Sequence, residues 1–335
     1  MKLSIVMPVF NGGKSLASAV ESLFTQDFTD WELVMVDDGS TDESPSIEES
    51  LSLRDKRIRV VRQPNSGVSI ARNRGLDEAC GEWVAWLDQD DAYIKGALAR
   101  VVEMANAHPD CGCLQFPYVE MQPDGPGTPC IPPAYSMFGG REYSGLEAFD
   151  ILFARRNVGG MNWQPWRFIY RRDSVPRFRA GVIHEDLDVL PLHLAGLPRV
   201  FISKDPVYAY RPPRSGSATA GFTPRRVRDI LDVTGNVYAK LDKMAIQPGT
   251  LRGFRATLAY NLFGFYLATP DFSEPDRSEL MDAFVEHGDW LLPVGSPRGT
   301  AWLKRLVLRL MGIRLAAIGV GLVRRFRKSH ERMKR

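Results

Sequence analysis

Three aspartates fall within four residues in the run Asp88-Gln89-Asp90-Asp91, and like charges this close repel unless something positive sits between them. A hard divalent ion, Mn²⁺ or Mg²⁺, meets that need through oxygen ligands and would also bridge the phosphates of a nucleotide. Taken alone, a D-x-D-D run is as readily a solvated turn that caps a helix. Here it directly follows the apolar run Trp83 to Leu87, which favours the metal. A second acidic pair, Glu185-Asp186, follows His184 in a distant segment and leads into Leu187, Val189, Leu190 and Leu192. Acids are favoured in the first turn of any helix, so this pair carries little by itself.

The elements that would position these groups can be read around them. Four runs, LSIVMPVF, WELVMVDD, IRVVRQ and EWVAWLDQDD, are short, rich in Val, Ile and Trp and mostly continuous rather than alternating, the pattern of strands buried on both faces of a parallel sheet. Between the first two, Leu16, Ala19, Val20, Leu23 and Phe24 recur at helical spacing, which completes a βαβ unit. The strands end in Pro8-Val9-Phe10-Asn11, in Asp37-Asp38, near Gln63 and Asn65, and in Asp88-Gln89-Asp90-Asp91. Ligands of an open parallel sheet bind beyond the carboxyl ends of its strands, so these groups should converge on one cleft.

Asp38-Gly39 alone would suit a hairpin, but Ser40 and Glu43 have the S-x-x-E spacing of a capping box and predict a strand-to-helix turn. A third helix is expected from Ser66 to just before Gly81, with Val68, Ala71, Gly75, Leu76 and Ala79 inward and Arg72, Asn73 and Arg74 toward polar surroundings. From Gly112 to Gly140 the chain reads as one strand, CLQFPYVEM, followed by a long Pro- and Gly-rich loop over or beside the site. Further short strands are expected from WRFIYRR through PVYAYRPPRSGSAT. From Thr223, an N-cap followed by Pro224, the pattern turns helical.

At 335 residues, 44% of them hydrophobic, the chain can bury a large core, so disorder is excluded as its class. A formal net charge of +3 makes no global field for nucleic acid. Cys80, Cys111, Cys113 and Cys130 have neither zinc-ligand nor C-x-x-C spacing, and the first residues lack a signal peptide's apolar stretch, which suits a reducing, cytoplasmic setting. Cys111 and Cys113 read as structural thiols. Gly13-Lys14-Ser15 resembles the end of a phosphate-binding loop, but Pro8 stands where its first glycine is needed. No G-x-G-x-x-G follows the first strand, which argues against a dinucleotide-binding dehydrogenase.

The ordered motifs SIVMPVFN, VDDGSTD, NSGVSIARNRG and WLDQDD closely resemble the inverting glycosyltransferases of family 2, which have the GT-A fold. The resemblance is dense over about the first hundred residues and continues more loosely through MNWQPWRFIYRR, HEDLD and PVYAYRPPRSGSAT to about residue 220. It implies a Rossmann-like, mainly parallel sheet flanked by helices over residues 1–220, while the helical pattern of 221–335 reads as a C-terminal extension with no counterpart in that resemblance. It also implies roles: Pro8, Val9 and Asp38 at the nucleotide base, Asn11 in the same nucleotide-sugar site, and Arg72 near base or ribose. Asp88 and Asp90 would be the D-x-D pair, Asp90 with or without Asp91 the metal ligand, and Asp186 the base, with Glu185 as its alternative. The implied reaction moves one sugar, from a UDP-sugar by preference, to a hydroxyl of a glycan or lipid-linked acceptor in surface-polysaccharide or lipopolysaccharide-type synthesis.

Physical chemistry agrees with that division, since a departing diphosphate needs a cation and an attacking hydroxyl needs a proton acceptor. Processive relatives share a Q-x-x-R-W motif after the base. Here Gln164-Pro165-Trp166-Arg167 has another order and precedes Asp186, so transfer of a single sugar is expected. The rivals are a nucleotidyltransferase, which would need a Gly-rich basic loop after the first strand, and an inactive nucleotide-sugar-binding protein, which would typically have lost the carboxylates.

The tail, WLKRLVLRLMGIRLAAIGVGLVRRFRKSHERMKR, combines apolar residues with a basic excess, and Leu303, Leu306, Val307 and Leu310 share a helical face. Its longest uncharged stretch, LAAIGVGLV, is far below the roughly 20 residues that span a bilayer. Residues 300–335 therefore read as a peripheral contact with anionic lipid on the inner face of the membrane, or else as a packing helix with a solvated basic end. Few aromatics interleave the basic residues, which argues against nucleic acid.

Overall fold

The computed structural model describes residues 2–122, 125–130, 133–155, 163–212 and 222–286. The basic tail at 300–335, the RSGSAT segment, and Met161 and Asn162 lie outside the described residues. The chain divides into two compact units, Met1–Phe153 with Asn157–Ser215, and Ala154–Arg156 with Gly216–Arg335.

The first unit begins as β1 (Leu3–Val9), α1 (Gly13–Phe24), β2 (Trp31–Asp37), α2 (Ser44–Arg54), β3 (Ile58–Arg62), α3 (Val68–Glu78) and β4 (Trp83–Trp86). It continues as β5 (Ala92–Tyr93), α4 (Ala97–Ala107), β6 (Cys113–Gln115), β7 (Tyr118–Gln122), β8 (Gly125–Cys130), α5 (Pro133–Phe138), β9 (Arg141–Tyr143) and α6 (Gly145–Phe149). It closes with β10 (Phe168–Arg171), α7 (Glu185–Gly196), β11 (Val200–Ile202) and β12 (Tyr208–Tyr210). Eight strands form one sheet in the order β3-β2-β1-β4-β10-β6-β11-β9, and β5-β12-β7-β8 form a second. The first four are parallel, as their unbroken apolar runs require, while β10 is antiparallel to both neighbours. Every residue of β2 is buried, and α3 packs across β1 and β2. The helix lies so close that a Cβ at Gly75 would overlap the Val6 side chain.

Several expectations need correction. The Ser40–Glu43 capping box does not form, and α2 starts at Ser44. The Ser40 hydroxyl instead accepts the Asn11 amide, and Asp42 accepts the Ser44 amide, so loop contacts outcompete the local box. The third helix begins at Val68, whose side chain is 38% exposed rather than inward. CLQFPYVEM is two strands in two sheets, broken at Phe116-Pro117 where proline offers no ladder donor. The Pro- and Gly-rich stretch after it holds β8 and α5, with β8 paired to β7, rather than one long loop. Cys111 and Cys113 are buried free thiols.

The second unit contains α8 (Pro224–Asp242), α9 (Pro248–Ala268) and α10 (Asp276–Glu286). Thr223 caps α8 by accepting the Arg226 amide, and Pro224 occupies the first turn. Arg228 forks onto Asp276 and Glu279 of α10. No helix among the described residues is long and apolar enough to cross a membrane.

Candidate active site

The loops beyond β1, β2 and β3 interlock. The Asp38 amide donates to the Val9 carbonyl at 2.8 Å, and the Asp38 carboxylate accepts Gln63 Nε2, the Ser66 amide and the Gly67 amide at 2.7–2.8 Å. Asp38 thus holds the loop that leads into α3. Asn11 adopts a left-handed conformation (φ 49°), which asparagine tolerates, and its side chain accepts the Thr41 amide. Pro8 is half-buried and Val9 is buried beside them.

The acidic run is joined to the end of β1 by Gln89, which accepts the Phe10 amide at 2.9 Å and donates to the Phe10 carbonyl at 3.0 Å. With its backbone so fixed, Phe10 leaves its ring 46% exposed. Asp88 and Asp90 are half-buried, whereas Asp91 is buried. Both oxygens of Asp91 are committed, one to the Tyr208 hydroxyl at 2.9 Å and one to the Arg211 amide at 2.7 Å. Burial and the nearby Asp88 carboxylate push the Asp91 carboxyl up to about 8. The Tyr208 oxygen in turn accepts the Asp88 amide, so one phenol fixes both ends of the run.

His184 precedes α7 in a left-handed conformation (φ 72°), unusual for a residue with a Cβ, and starts the helix with Glu185 and Asp186 in its first turn. The turn is anchored by the buried Asp188, which Arg179 grips through two nitrogens at 3.0 Å each. Arg72 joins this segment to the acidic run. Its guanidinium is buried and lies 2.5 Å from Glu185 and 3.4 Å from Asp88. Burial opposes its charge, but Glu185 and Asp88 outweigh burial and raise its pKa above the usual arginine value. Asp186 is half-buried, and burial with the adjacent Glu185 charge pushes its carboxyl up to about 7. That is where a proton acceptor for neutral pH should titrate.

The structure therefore brings Arg72, Asp88, Glu185 and Asp186 together and spends Asp38, Asn11 and Asp91 on fixing the loops around them. Sequence reasoning placed Phe10 and Gln89 at the strand ends without a role for either, and it missed Tyr208 and the Arg179–Asp188 pair. Phe10 carried a signal, an aromatic at the open end of a buried strand. Tyr208 carried none, because its partner Asp91 is 117 residues away.

Residues 4–173 match the Glycosyl transferase family 2 pattern, and the chain belongs to that family. Its fold is that of the GT-A transferases, as in S. aureus TarS 1–349 solved with UDP-GlcNAc, at 20% identity and a TM-score of 0.67 over 96% of this chain and 89% of that one. Among curated relatives, the uncharacterized glycosyltransferase YibD of Escherichia coli is 41% identical over 56% of this chain and 54% of its own length. The Campylobacter jejuni GalNAc(5)-diNAcBac-PP-undecaprenol beta-1,3-glucosyltransferase is 39% identical over 34% of this chain and 38% of its own length. The chain thus spans about half or less of the length of these two relatives.

Proposed function

We propose that the protein transfers a single sugar from a nucleoside-diphosphate sugar, with uridine the first choice of base, to a hydroxyl of a glycan or lipid-linked acceptor. The product is a surface-polysaccharide or lipopolysaccharide-type glycan. The observation that carries this reading is Arg72, which places Asp88 of the acidic run and Glu185, next to Asp186, on one guanidinium. A donor's leaving group and a base for the acceptor then lie within one side chain's span. The exposed ring of Phe10 supplies a stacking face for the base of the nucleotide.

Transfer proceeds with inversion. The acceptor oxygen bonds to the anomeric carbon as its bond to the diphosphate breaks, the electron pair leaves with the diphosphate, and the acceptor proton passes to Asp186. Burial and the adjacent Glu185 charge raise the basicity of Asp186, and Arg72, paired with Glu185, moderates that rise. Among the described residues no three His, Cys, Asp or Glu side chains converge on a metal position. The half-buried carboxylates after β4, Asp90 with Asp88, would suit Mn²⁺ or Mg²⁺ whose remaining ligands are phosphate and water, while Asp91 orients the run. Bound there, the ion would offset the charge developing on the diphosphate.

The name of the Campylobacter relative supports a lipid-linked acceptor, and the basic tail at 300–335 supports peripheral contact with the inner face of the membrane. Thermal shifts with a panel of nucleotide sugars, with and without Mn²⁺, test the reading, because a ligand of the native state raises the melting temperature by mass action. One donor should stabilise the protein, and more so with Mn²⁺. No stabilisation by any nucleotide sugar would overturn the proposal.

A further inference from the structure

We propose that Asn73 is a positioning residue for the carboxylates of this site, acting through Phe178 and Arg72 rather than on substrate. The proposal rests on the assignment of Glu185 and Asp186 to the sugar-transfer reaction. Residues 175–184, which lead from β10 to α7, lie in neither strand nor helix. No ladder fixes their backbone, so side chains must. Asn73 on α3 does this at Phe178, where its Nδ2 donates to the Phe178 carbonyl at 2.8 Å and its Oδ1 accepts the Phe178 amide at 2.9 Å. A primary amide offers the same donor and acceptor as a peptide group, so the pair stands in for one rung of a sheet.

From Phe178 the hold passes to the site along two paths. Its ring is buried, meets Trp86 of β4 edge-on with centroids 5.4 Å apart, and lies 5.4 Å from the Arg72 guanidinium stacked over it. Arg72 in turn bonds Glu185 and Asp88. The next residue along the chain, Arg179, grips Asp188 of α7. Arg72 and Asn73 are consecutive on α3, so one helix turn aims the first side chain at the carboxylates and the second at the segment that precedes them. Among the described residues the Asn73 side chain bonds only Phe178, and its influence on the acids must pass through that residue. Arg177 adds an outer tie, to the Asn73 carbonyl at 3.0 Å and to Asp77 at 2.7 Å. Both of those side chains are exposed, so this tie contributes little.

Hydrolysis of UDP-glucose, UDP-galactose, UDP-GlcNAc and GDP-mannose by the full chain in Mn²⁺, with water in place of the acceptor, tests this. For the donor that wild type cleaves, Asn73→Ala should lower kcat about 10-fold or more and change donor KM less than about 2-fold. In an Arg72→Gln background the same substitution should cost less than about 2-fold, because the two residues act along one path. Asn73→Asp decides the matter if Asn73→Ala does not fold. It keeps the bond from the Phe178 amide, sets an oxygen against the Phe178 carbonyl, and should show the same pattern. Asp77→Asn breaks only the outer tie and should leave kcat within about 2-fold of wild type. Equal losses in the wild-type and Arg72→Gln backgrounds, a loss carried by donor KM instead of kcat, or unchanged kcat would overturn the role of Asn73 and leave the nucleotide-sugar reading standing. Wild type that cleaves none of the four donors would bring down that reading and this inference together.

Discussion

The wall of the cleft built from strand ends and the wall built from the start of α7 are held in different ways. On the first, Asn11, Asp38, Ser40 and Gln89 bond to backbone amides or carbonyls of neighbouring loops. On the second, Glu185 and Asp188 are held by the guanidinium groups of Arg72 and Arg179. Backbone groups do not titrate, so the first wall is a fixed frame. The second depends on charge, and Asp186, the proposed base, sits where a charge nearby changes its protonation. Arg72 couples the two.

Substitutions that spare one wall and disable the other would sharpen this contrast, and Asp90→Asn should have the largest effect. It keeps the side-chain volume and the bonds that Gln89, Tyr208 and Arg211 make to the run, so transfer should fall by at least about 10³-fold and metal-dependent donor affinity should be lost, well beyond any change in melting temperature. Wild-type activity that survives exhaustive chelation would contradict it. Next comes Arg72→Gln, which strands Glu185 without its counter-charge. We expect kcat to fall about 10²-fold with donor KM nearly unchanged. Because the Arg72 charge holds the Asp186 carboxyl down, its loss should also move the acid limb of the rate profile to higher pH. A rise in donor KM at constant kcat would instead place Arg72 at the base or ribose.

A smaller effect tests the frame behind the first wall. Glu48 on α2 is fully buried, both its oxygens lack a hydrogen-bond partner among the described residues, and burial with the Asp37 charge pushes its carboxyl up to about 7. The folded state therefore keeps a proton that the unfolded chain releases near 4.5, so stability falls as pH rises from about 4.5 to about 7 and the penalty persists above. Glu48→Gln should remove that penalty and gain at most about 3 kcal/mol over wild type at pH 8, but little at pH 4. Equal unfolding curves at both pH values would contradict it.

The parallel strands β1 to β4 and the helices between them were legible because strands buried on both faces impose continuous apolar runs and helices impose a 3.6-residue period. The acidic run was legible as chemistry through its place directly after a buried strand, and Glu185-Asp186 only through the ordered motifs around it, since acids at a helix start carry little by themselves. What was not legible is what joins them. Whether Asp38 faces a base or caps a loop depends on Gln63, Ser66 and Gly67 closing around it, and Asp91 is withdrawn by Tyr208 and Arg211 from far along the chain. The failed Ser40–Glu43 box has the same cause, a local pattern overridden by a tertiary partner, Asn11.

The central claim is that Asp186 accepts the proton of the acceptor hydroxyl, and single-turnover transfer as a function of pH tests it most directly. Wild type, Asp186→Asn and Glu185→Gln would be compared, with donor affinity measured alongside. Wild-type rate should fall below about pH 7 as Asp186 takes up its proton. Asp186→Asn should be slower by about 10²-fold or more with the acid limb gone and donor affinity intact. Near-wild-type transfer by Asp186→Asn would contradict the account, and an inactive Glu185→Gln in the same experiment would move the base to Glu185.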